Sequence, residues 1–536
     1  MSRVLTFRVP PEQQQAPKPL LSDRSSTWPL LPQLAPTAVR PALPPSPKEE
    51  LVLNVFGRGP DSLLMPPKHS LPPPFAFYTQ FNGDALYMAE PRLLVTKLLV
   101  LSWCELREYY EVYAGLPRRV PTARLTQGTD YHRVLEERLH RAIDPMTVSA
   151  RVEEILGEMP AERVLALTQG GSMAFKLAHQ WVEQILVRCL AVAHTGYARE
   201  MHLHGFLDLT SGELATSKST IGQGVLVNGI ADMVRLEPAP YGDNRALPWD
   251  PQAVLELGPA PEGAKARMDR LATNHTLEVR DVKTRAYNNV PKQSLVVEAA
   301  RDQCMYYAQF LTTLAQNEEY AYQSLVENFT RRHIQTSHPL GEAHAAALLI
   351  TNFGVLVEDY KALARGDALS FAPFDNATTF YVTEQPPEAY SLANFVDEPT
   401  FRALLADFHG DYFADVDISV LFRKWKRPLT PGYFCARAAQ ALYLFEKLKP
   451  SSVCVEYHNV KTGRIIECKS FPFDKHTLEE ASKRAAQFWA GTRPPISTDD
   501  TERCKSCDFR SRCAAVNEQA MDKALVGDVI KDFLEL

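Results

Sequence analysis

The chain has 536 residues, of which 45% are hydrophobic, and 58 Lys and Arg against 64 Asp and Glu give a formal net charge of −6. This composition is typical of a soluble globular protein of about two to four domain-sized pieces. The acidic balance excludes a nucleic-acid partner held by bulk charge, so any basic track must be local. No run reaches the roughly 18 apolar residues of a membrane span, so the sequence predicts no transmembrane helix.

The cysteine content bears on the compartment. Nine cysteines are scattered over the chain, and we find no secretory signal ahead of them. An odd number in a long chain argues against a disulfide scaffold. The sequence therefore predicts reduced thiols or a metal centre.

Residues 1–75 are rich in Pro, Gln and Ser, and many of the 40 prolines of the chain lie here. Such a composition buries too little apolar surface to fold, so we predict disorder up to a folded part that begins near Phe75. The first stretch carries Arg3, Arg8, Lys18 and Arg24 against two acidic residues. It weakly resembles an organelle transit peptide, although its prolines interrupt an amphipathic helix.

Residues 76–200 are predicted to be helical. A helix over Pro91–Gly115 carries Cys104, and a lone cysteine in such a place is usually an ordinary buried thiol. The next helix, Thr126–Ile143, places His132 and Glu136 on one face, where both could approach a cation. Such a pair is more often a surface contact. Further helices are predicted at Ala161–Leu167 and Ala174–Leu190.

The segment 201–330 carries the strongest signal for chemistry. Val225–Leu236 reads as a strand with a single embedded acid, Asp232, which is costly unless it is paired or bound to metal. After a loop predicted over residues 237–275, a strand over Leu277–Val282 leads to Asp281 and Lys283, two apart and hence on one face.

A carboxylate beside an ammonium can hold a divalent cation and position or deprotonate a water, which is half of a hydrolytic site. An isolated Asp-x-Lys pair is usually an exposed ion pair. If the two strands are antiparallel neighbours, Asp232 lies beside Asp281 and Lys283. We predict that arrangement.

The helix predicted over Gln293–Gln316 places Gln303 and Tyr307 on one face. There they could reach a phosphate or the lysine together. The alternative is a helix whose tyrosine simply packs in the core.

Residues 331–450 are predicted to be mostly helical and to bind substrate through one basic and aromatic cluster. Positive charges for phosphates and a ring for bases are typical of a single-strand track, although a solvated helix end fits equally well. The cluster consists of Arg423, Lys424, Trp425, Lys426 and Arg427.

Residues 451–536 begin with a predicted β-hairpin, Val453–His458 and Arg464–Ser470, and continue to three thiols at Cys504, Cys507 and Cys513. Arg and Lys among these thiols favour thiolates that face one centre. A fourth ligand must come from elsewhere, and the spacing fits zinc or an iron–sulfur cluster. We predict that the remaining strand and helix cysteines pack in the core: Cys189, Cys304, Cys435, Cys454 and Cys468.

Together these residues resemble a known family. His132, Asp232, Asp281-x-Lys283 and Gln303-x3-Tyr307 look like the RecB-type branch of the PD-(D/E)XK nucleases. With Cys104 in Trp103-Cys104-Glu105 and the terminal cysteines, the chain over roughly residues 75–515 is similar to the iron–sulfur members, above all the eukaryotic exonuclease V family. It departs in having Asp281 where many of these nucleases have Glu, and in a long separation between the two acids.

The resemblance implies an α/β fold: a restriction-endonuclease-like PD-(D/E)XK core with a central mixed sheet flanked by helices, and helical insertions. It also implies a [4Fe-4S] cluster that joins the N- and C-terminal parts through Cys104, Cys504, Cys507 and Cys513. The implied division is a disordered 1–75, a helical 76–200, a nuclease core 201–330, a helical substrate-binding insertion 331–450, and the cluster segment 451–536.

The implied activity is that of a metal-dependent exodeoxyribonuclease that degrades single-stranded DNA from a free end and releases short oligonucleotides. Mg²⁺, with Mn²⁺ as a substitute, is expected on His132, Asp232, Asp281 and the Val282 carbonyl. The other expected catalytic residues are Lys283, Gln303 and Tyr307, and Arg285 is expected to bind nucleic acid.

Fungal members of the family act in mitochondria and vertebrate members in the nucleus. We therefore predict mitochondrial genome maintenance or repair, with a nuclear or cytoplasmic location as the alternative. The expected protein is a monomer without a membrane partner, and a single-strand-binding protein is an expected partner. Two other classes stay open: an inactive single-strand-binding or scaffolding protein, and a zinc-stabilised accessory module. No G-x-x-x-x-G-K-[ST] loop is found, which argues against an ATP-driven motor.

Overall fold

The computed structural model of the protein describes residues 72–81, 92–99, 103–113, 123–140, 143–239, 261–291, 294–377 and 389–516. The predicted disorder up to residue 71 and most of the 237–275 segment lie outside these ranges. Within them, no helix is long and apolar enough to cross a membrane.

A mixed six-stranded sheet forms the centre of the molecule, as predicted. Its strands are Arg92–Leu94 (β1), Tyr197–Leu207 (β2), Val225–Pro238 (β3), His275–Arg285 (β4), Pro450–Asn459 (β5) and Ile465–Pro472 (β6). β3 pairs with antiparallel β2 along one edge, and along the other with parallel β1 and then antiparallel β4. β5 runs parallel to β4 and forms an antiparallel hairpin with β6.

β3 and β4 form a fork in this sheet. Their pairing runs from Pro238↔His275 to Met233↔Arg280 and ends there. β4 then continues beside β5 to the pair Arg285↔Asn459. The residues just past the last β3–β4 pair, Asp232 and Asp281, therefore lie where the two strands separate.

Helices surround the sheet. In chain order they span Pro74–Phe81 (α1), Val95–Leu98 (α2), Glu105–Tyr113 (α3), Ala123–Leu139 (α4), Pro145–Gly157 (α5), Ala161–Leu167 (α6), Gly171–Trp181 (α7), Arg188–Thr195 (α8), Lys218–Ile221 (α9), Pro261–Leu271 (α10), Ser294–Ala315 (α11), Glu318–Thr330 (α12), Glu342–Thr351 (α13), Phe353–Arg365 (α14), Ala372–Asp375 (α15), Glu398–His409 (α16), Pro431–Tyr443 (α17), Lys475–Ala490 (α18) and Thr501–Lys505 (α19). One π-helical stretch, Val182–Val187, joins α7 to α8, and short 3₁₀ turns lie at Leu392–Asn394, Gly410–Phe413, Ser419–Phe422 and Arg510–Arg512.

Several helices begin where the sequence supplies a cap. A side-chain carboxylate or amide oxygen just before the first turn accepts a backbone N–H that would otherwise lack a partner. The capping residues of this kind are Asp144, Asn317, Asp397, Asp474 and Asp500.

Helix α11 packs across β2, β4 and β5 and approaches the sheet unusually closely. A Cβ atom at Gly205 would lie 2.5 Å from the Phe310 ring, and one at Gly229 would lie 2.6 Å from Tyr307 Oη. The two glycines therefore permit this close approach. It brings the α11 side chains to the fork.

The single helix predicted over Pro91–Gly115 is wrong. Leu94 has extended backbone, and Arg92–Leu94 pairs with β3 as strand β1 before the short helix α2 begins. The apolar run thus forms a short strand first, with Leu93 buried and Leu94 exposed, then the one-turn helix α2, and helix α3 begins at Glu105. The loop predicted over 237–275 also needs correction, because Pro261–Leu271 is helical.

The core cysteines are mostly as predicted. Cys189, Cys304, Cys435 and Cys454 are fully buried. Cys468 is not: it lies exposed on β6 and forms a disulfide with Cys454 of β5. The prediction of core packing for Cys468 is wrong because the outer face of this edge strand is open.

The N- and C-terminal parts of the described chain are tied together. Arg493 donates two hydrogen bonds to the Glu105 carboxylate, at 2.5 and 2.8 Å. Arg503 Nη1 donates to the Trp103 carbonyl at 2.9 Å, and Trp489 Nε1 to the Lys97 carbonyl at 3.2 Å. These contacts place the segment around Cys104 against the C-terminal cysteines.

Candidate active site

A cleft of about 540 Å³ opens at the fork between β3 and β4. Helix α4 supplies one wall, the strands supply the floor, and the start of α11 lies at the rim. The cleft is lined by Gly128, Thr129, His132, Glu200, Asp232, Asp281, Val282, Lys283, Thr284, Arg285, Val296, Gln303 and Tyr457.

The Asp232 carboxylate accepts a backbone hydrogen bond at the point where the pairing of β3 with β4 ends. Its Oδ2 accepts the Val282 N–H at 2.7 Å, just past the last β3–β4 pair. This bond satisfies a backbone donor that strand separation would leave without a partner. It also holds the Asp232 carboxylate beside β4, so the predicted juxtaposition of the two acids is confirmed.

Asp281, Lys283 and two α11 side chains form a continuous hydrogen-bonded series. Lys283 Nζ donates to Asp281 Oδ1 at 3.0 Å and to Gln303 Oε1 at 3.3 Å. Gln303 Nε2 in turn donates to Tyr307 Oη at 3.3 Å. Gln303 therefore reaches the lysine as predicted, whereas Tyr307, at 3% exposure, packs in the core and contacts Gln303 instead of the lysine.

His132 and Glu200 complete a cluster of ligand atoms. His132 Nδ1 lies 3.7 Å from a Glu200 oxygen and 3.9 Å from Asp232 Oδ2. One ligand atom from each of the three residues falls within 4.8 Å of the others, a spacing that a metal ion can bridge. The donor set fits Mg²⁺ through its oxygens, and the imidazole fits Mn²⁺.

Glu200 is the site residue that the sequence interpretation missed. It lies on β2 opposite Asp232, between the pairs Arg199↔Met233 and Met201↔Ala231. Its φ of +53° is in the left-handed region, which is uncommon for a residue with a side chain. It was missed because residues 76–200 were predicted to be helical, so the strand that carries this acid was not recognised.

The electrostatics of the cleft reflect crowded carboxylates. Burial, followed by the charge of Asp281, raises the pKa of Asp232 to about 7. Asp281 is only 2% exposed, and its Oδ2 lies 2.8 Å from the Lys283 ammonium. The site therefore concentrates negative charge that a cation would neutralise.

The carboxylates raise the pKa values of two neighbouring groups, His132 and Lys283. The neighbouring Glu200 raises the pKa of His132, aided by Asp232 and opposed by burial. Burial opposes the charged form of Lys283, but the adjacent Asp281 outweighs it, so the pKa of Lys283 is raised. Lys283 is thus a stable ammonium at neutral pH.

Glu136 is not in the cleft. Its Oε1 accepts a hydrogen bond from Arg188 Nη2 at 2.5 Å, and Arg188 is only 2% exposed. Glu136 therefore neutralises a buried guanidinium and contributes to the anchoring of α4.

The predicted single-strand track needs correction at two residues. Trp425 is 3% exposed, packs against the Tyr360 and Tyr390 rings, and donates its indole N–H to the Leu421 carbonyl. It cannot stack on a base. Arg427 is half-buried and paired with Asp375, so it is no free phosphate contact either. Arg423, Lys424 and Lys426 are exposed.

The four cysteines of the predicted cluster come together. Cys104, Cys504, Cys507 and Cys513 are free thiols of intermediate exposure. Burial raises the pKa of Cys504, and the charges of the other three add to the rise. Arg107 lies close enough to oppose a similar rise at Cys507.

A further group with three clustered ligand atoms lies on the β5–β6 hairpin: Cys454, Glu456 and Cys468. The two sulfurs form the disulfide, and the Glu456 carboxylate is engaged by Arg280 and by His458 Nε2 at 3.0 Å. These partners leave no vacant ligand set, so we do not assign a metal there.

Comparisons with known proteins identify relatives of this chain. The profile of a family described as "Exonuclease V - a 5' deoxyribonuclease" matches residues 87–514. The chain is 97% identical over 488 residues to a Clavispora lusitaniae protein named "Exonuclease V, mitochondrial", covering 91% of this chain and 98% of that protein. Proteins of the same name from Candida dubliniensis and Candida albicans are 32% and 31% identical over 491 residues, covering 86% of this chain and 78% and 77% of theirs.

Proposed function

Because the chain belongs to the exonuclease V family, we propose that it degrades single-stranded DNA from a free end by Mg²⁺-dependent hydrolysis and releases short oligonucleotides. Family membership makes it a nuclease, an enzyme that hydrolyses phosphodiester bonds of DNA. The names of its yeast relatives confirm the predicted mitochondrial localisation. Its proposed role is maintenance or repair of the mitochondrial genome.

One observation carries the proposal: Asp232, the Asp281–Lys283 pair and His132 meet at the fork of the sheet. An acid on each separating strand and a lysine two residues after the second acid are the arrangement expected of a PD-(D/E)XK core. The mixed sheet flanked by helices supports the same assignment. A surface ion pair would not need a second, partly buried acid beside it.

Asp232, Asp281 and His132 would hold Mg²⁺, together with the Val282 carbonyl, and Glu200 joins the ligand set. Oxygen ligands on adjacent strands suit this cation, which keeps part of its water shell. When bound, the metal supplies Lewis-acid stabilisation for the scissile phosphate and the leaving oxygen.

Lys283 orients the attacking water. Its raised pKa keeps the ammonium charged, so it donates hydrogen bonds to the water and to the phosphate and does not take up a proton. Asp281 and Gln303 fix the ammonium from two sides, and Tyr307 fixes Gln303. Such support is what precise positioning of a nucleophile requires.

The strand is proposed to enter at its 5′ end, in accordance with the family description. Arg285, at the end of β4, is the nearest cation along the strand from Lys283 and faces the cleft. The exposed Arg423, Lys424 and Lys426 remain proposed phosphate contacts farther away.

We assign Cys104, Cys504, Cys507 and Cys513 to a 4Fe-4S cluster. The structure brings these four free thiols together from the two ends of the described chain, and four cysteine thiolates are the ligand set of such a cluster.

We propose a division of the chain into segments according to the functional residues that each one carries. Residues 76–200 carry the first cluster cysteine and the His132 helix, and 201–330 hold the nuclease core. Residues 331–450 form the helical insertion, and 451–536 add the hairpin and the cluster segment. The outermost segments would be joined by the cluster.

Asp232→Ala tests the assignment. We expect kcat on single-stranded DNA to fall more than about 10³-fold, because a metal ligand is lost, while single-strand affinity in EDTA stays unchanged. Asp269→Ala is the matched control, since Asp269 is an acid paired with Lys265 and Lys447 outside the cleft. Normal cleavage by Asp232→Ala would show that the metal site is misassigned.

A further inference from the structure

We propose that Tyr287, Leu295, Val296 and Lys461 form a base-stacking platform at the mouth of the cleft. Its ligand is an unpaired stretch of the DNA strand next to the scissile phosphate. The inference rests on the proposed single-strand activity and assigns it a binding surface that replaces the buried Trp425.

The platform is defined by three exposed apolar side chains that lie within ten residues of one another in the sequence. Tyr287 is 65% exposed, and Leu295 and Val296 are 38% and 39% exposed. Val296 itself lines the cleft. Apolar side chains left open beside a polar catalytic cleft are a binding surface for a ligand with apolar faces.

The platform lies at a useful distance from the chemistry. Tyr287 follows Asp281 by six residues, which at about 3.3 Å per residue is at most about 20 Å. A stacked strand rises about 3.4 Å per nucleotide, so the ring reaches a base within about six nucleotides of the scissile phosphate.

Hydrogen bonds hold the platform in place before any ligand arrives. Asn459 is 5% exposed; its Nδ2 donates to Asn288 Oδ1 at 2.6 Å, and its Oδ1 accepts the Lys461 N–H at 2.9 Å. The Val460 N–H donates to the Arg285 carbonyl at 2.9 Å. The turn after β5 is thus locked to the loop after β4, which lowers the entropic cost of binding.

The charges complement a phosphate backbone. Lys461 Nζ lies 5.7 Å from the centre of the Tyr287 ring. Arg285 stands over the Tyr457 ring inside the cleft, and its buried Nε has no hydrogen-bond acceptor among the described residues. A ring flanked by cations is the pattern that binds single strands without sequence preference.

Among the described residues, the other widely exposed aromatic ring is Tyr412, at 54%. It packs on Phe413 and does not line the cleft. It therefore provides a matched control for loss of an exposed ring.

The test is anisotropy of labelled oligo-dT with the full-length protein in EDTA, so that no strand is cut. Tyr287→Ala should weaken binding about 5- to 100-fold, the range for loss of one stacked base. Tyr287→Phe and Tyr412→Ala should bind like the parent. Lys461→Ala should lower the salt dependence by about one phosphate contact.

Abasic substitution identifies the stacked base. One position near the 5′ end should weaken binding to the parent protein but leave binding to Tyr287→Ala unchanged, because the partner ring is already missing. Equal losses in both proteins at every position, or parent-like binding by Tyr287→Ala, would overturn the platform. If the parent neither binds nor cuts single strands, the proposed function itself fails, which is a distinct result.

Discussion

At the scale of single residues, the site is dominated by carboxylates that lie close enough to repel one another. Asp232 is partly buried next to Asp281 and faces Glu200, and its pKa is raised to about 7. Below pH 7 the metal-free protein therefore carries a proton on Asp232 that a bound cation displaces. Metal binding and proton release are linked at this group.

Metal affinity should depend on pH accordingly. With a folded-state pKa of about 7, Asp232 is protonated below that pH, and the proton on His132, whose pKa is also raised, competes as well, so Mn²⁺ should bind at least about tenfold more weakly at pH 6 than at pH 8. The stability that the protonated form gives the metal-free protein is present below the ordinary carboxyl pKa and is lost as pH rises through 7. Electron paramagnetic resonance of free Mn²⁺ measures the affinity. A flat profile would contradict the raised pKa.

Glu200→Asn separates conformation from charge. Asn tolerates the left-handed backbone of this position but brings no carboxylate. We expect the metal-free melting temperature to rise, because repulsion is relieved, and the Mg²⁺ concentration for half-maximal cleavage to increase about 10- to 100-fold. Unchanged Mg²⁺ dependence would remove Glu200 from the ligand set.

Local periods, two on a strand and four on a helix, made the pairs Asp281 with Lys283 and Gln303 with Tyr307 predictable. Asp232 was predictable as a single acid in a mostly apolar strand. Glu200 was not predicted as a site residue because its place beside Asp232 depends on strand pairing with residues about 30 positions away in sequence. Trp425 was misjudged because charged neighbours do not reveal that a ring is buried in another element.

At the scale of elements, the fork and helix α11 create the site together. The pairing of β4 with β3 ends at Arg280, and the Asp232 carboxylate accepts the next free backbone N–H, that of Val282. Helix α11 can supply Gln303 and Tyr307 only because glycines let it come close. We therefore expect a side chain at Gly229, which lies against Tyr307, to disturb catalysis, and one at Gly205, which lies against Phe310, to leave it intact.

Gly229→Ala and Gly205→Ala form a matched pair. Both would press a new Cβ against an aromatic ring of α11, so each should lower the free energy of unfolding by about 1–3 kcal/mol. Only Gly229→Ala displaces Tyr307 and its hydrogen bond to Gln303, so only that variant should lose kcat. Denaturant melts and single-turnover cleavage measure the two effects. Equal kcat losses would refute the positioning role of Tyr307.

Long periodic elements were predictable, as α11 and β3 show. The segment after Pro91 was not, because the same apolar residues satisfy a helix or a buried strand, and pairing with β3 decides between them. The parting of β3 and β4 has no local signal either. It depends on which partner each strand half finds.

At the scale of the whole molecule, the two ends of the nuclease module depend on each other. Ion pairs and hydrogen bonds already join Glu105 and Trp103 to the C-terminal segment. The proposed cluster would add a link through its metal–thiolate bonds that closes a loop of about 400 residues. The free energy of cluster binding would then contribute to the free energy of folding.

Cys507→Ser should therefore yield colourless protein with a lower melting temperature and little activity. Ser506→Ala is the control, because it changes the neighbouring side chain and keeps all four thiols. Visible absorption, iron and sulfide content and thermal melting provide the comparison. A stable, fully active Cys507→Ser protein would rule out a structural cluster.

The most direct measurement uses full-length protein purified without oxygen and end-labelled single-stranded DNA, linear or circular, in EDTA or in Mg²⁺. We expect a brown protein that shortens the linear strand only in Mg²⁺ and leaves the circle intact, because a free end is required. Cleavage in EDTA, or cutting of the circle, would contradict metal-dependent exonuclease action at the fork of β3 and β4.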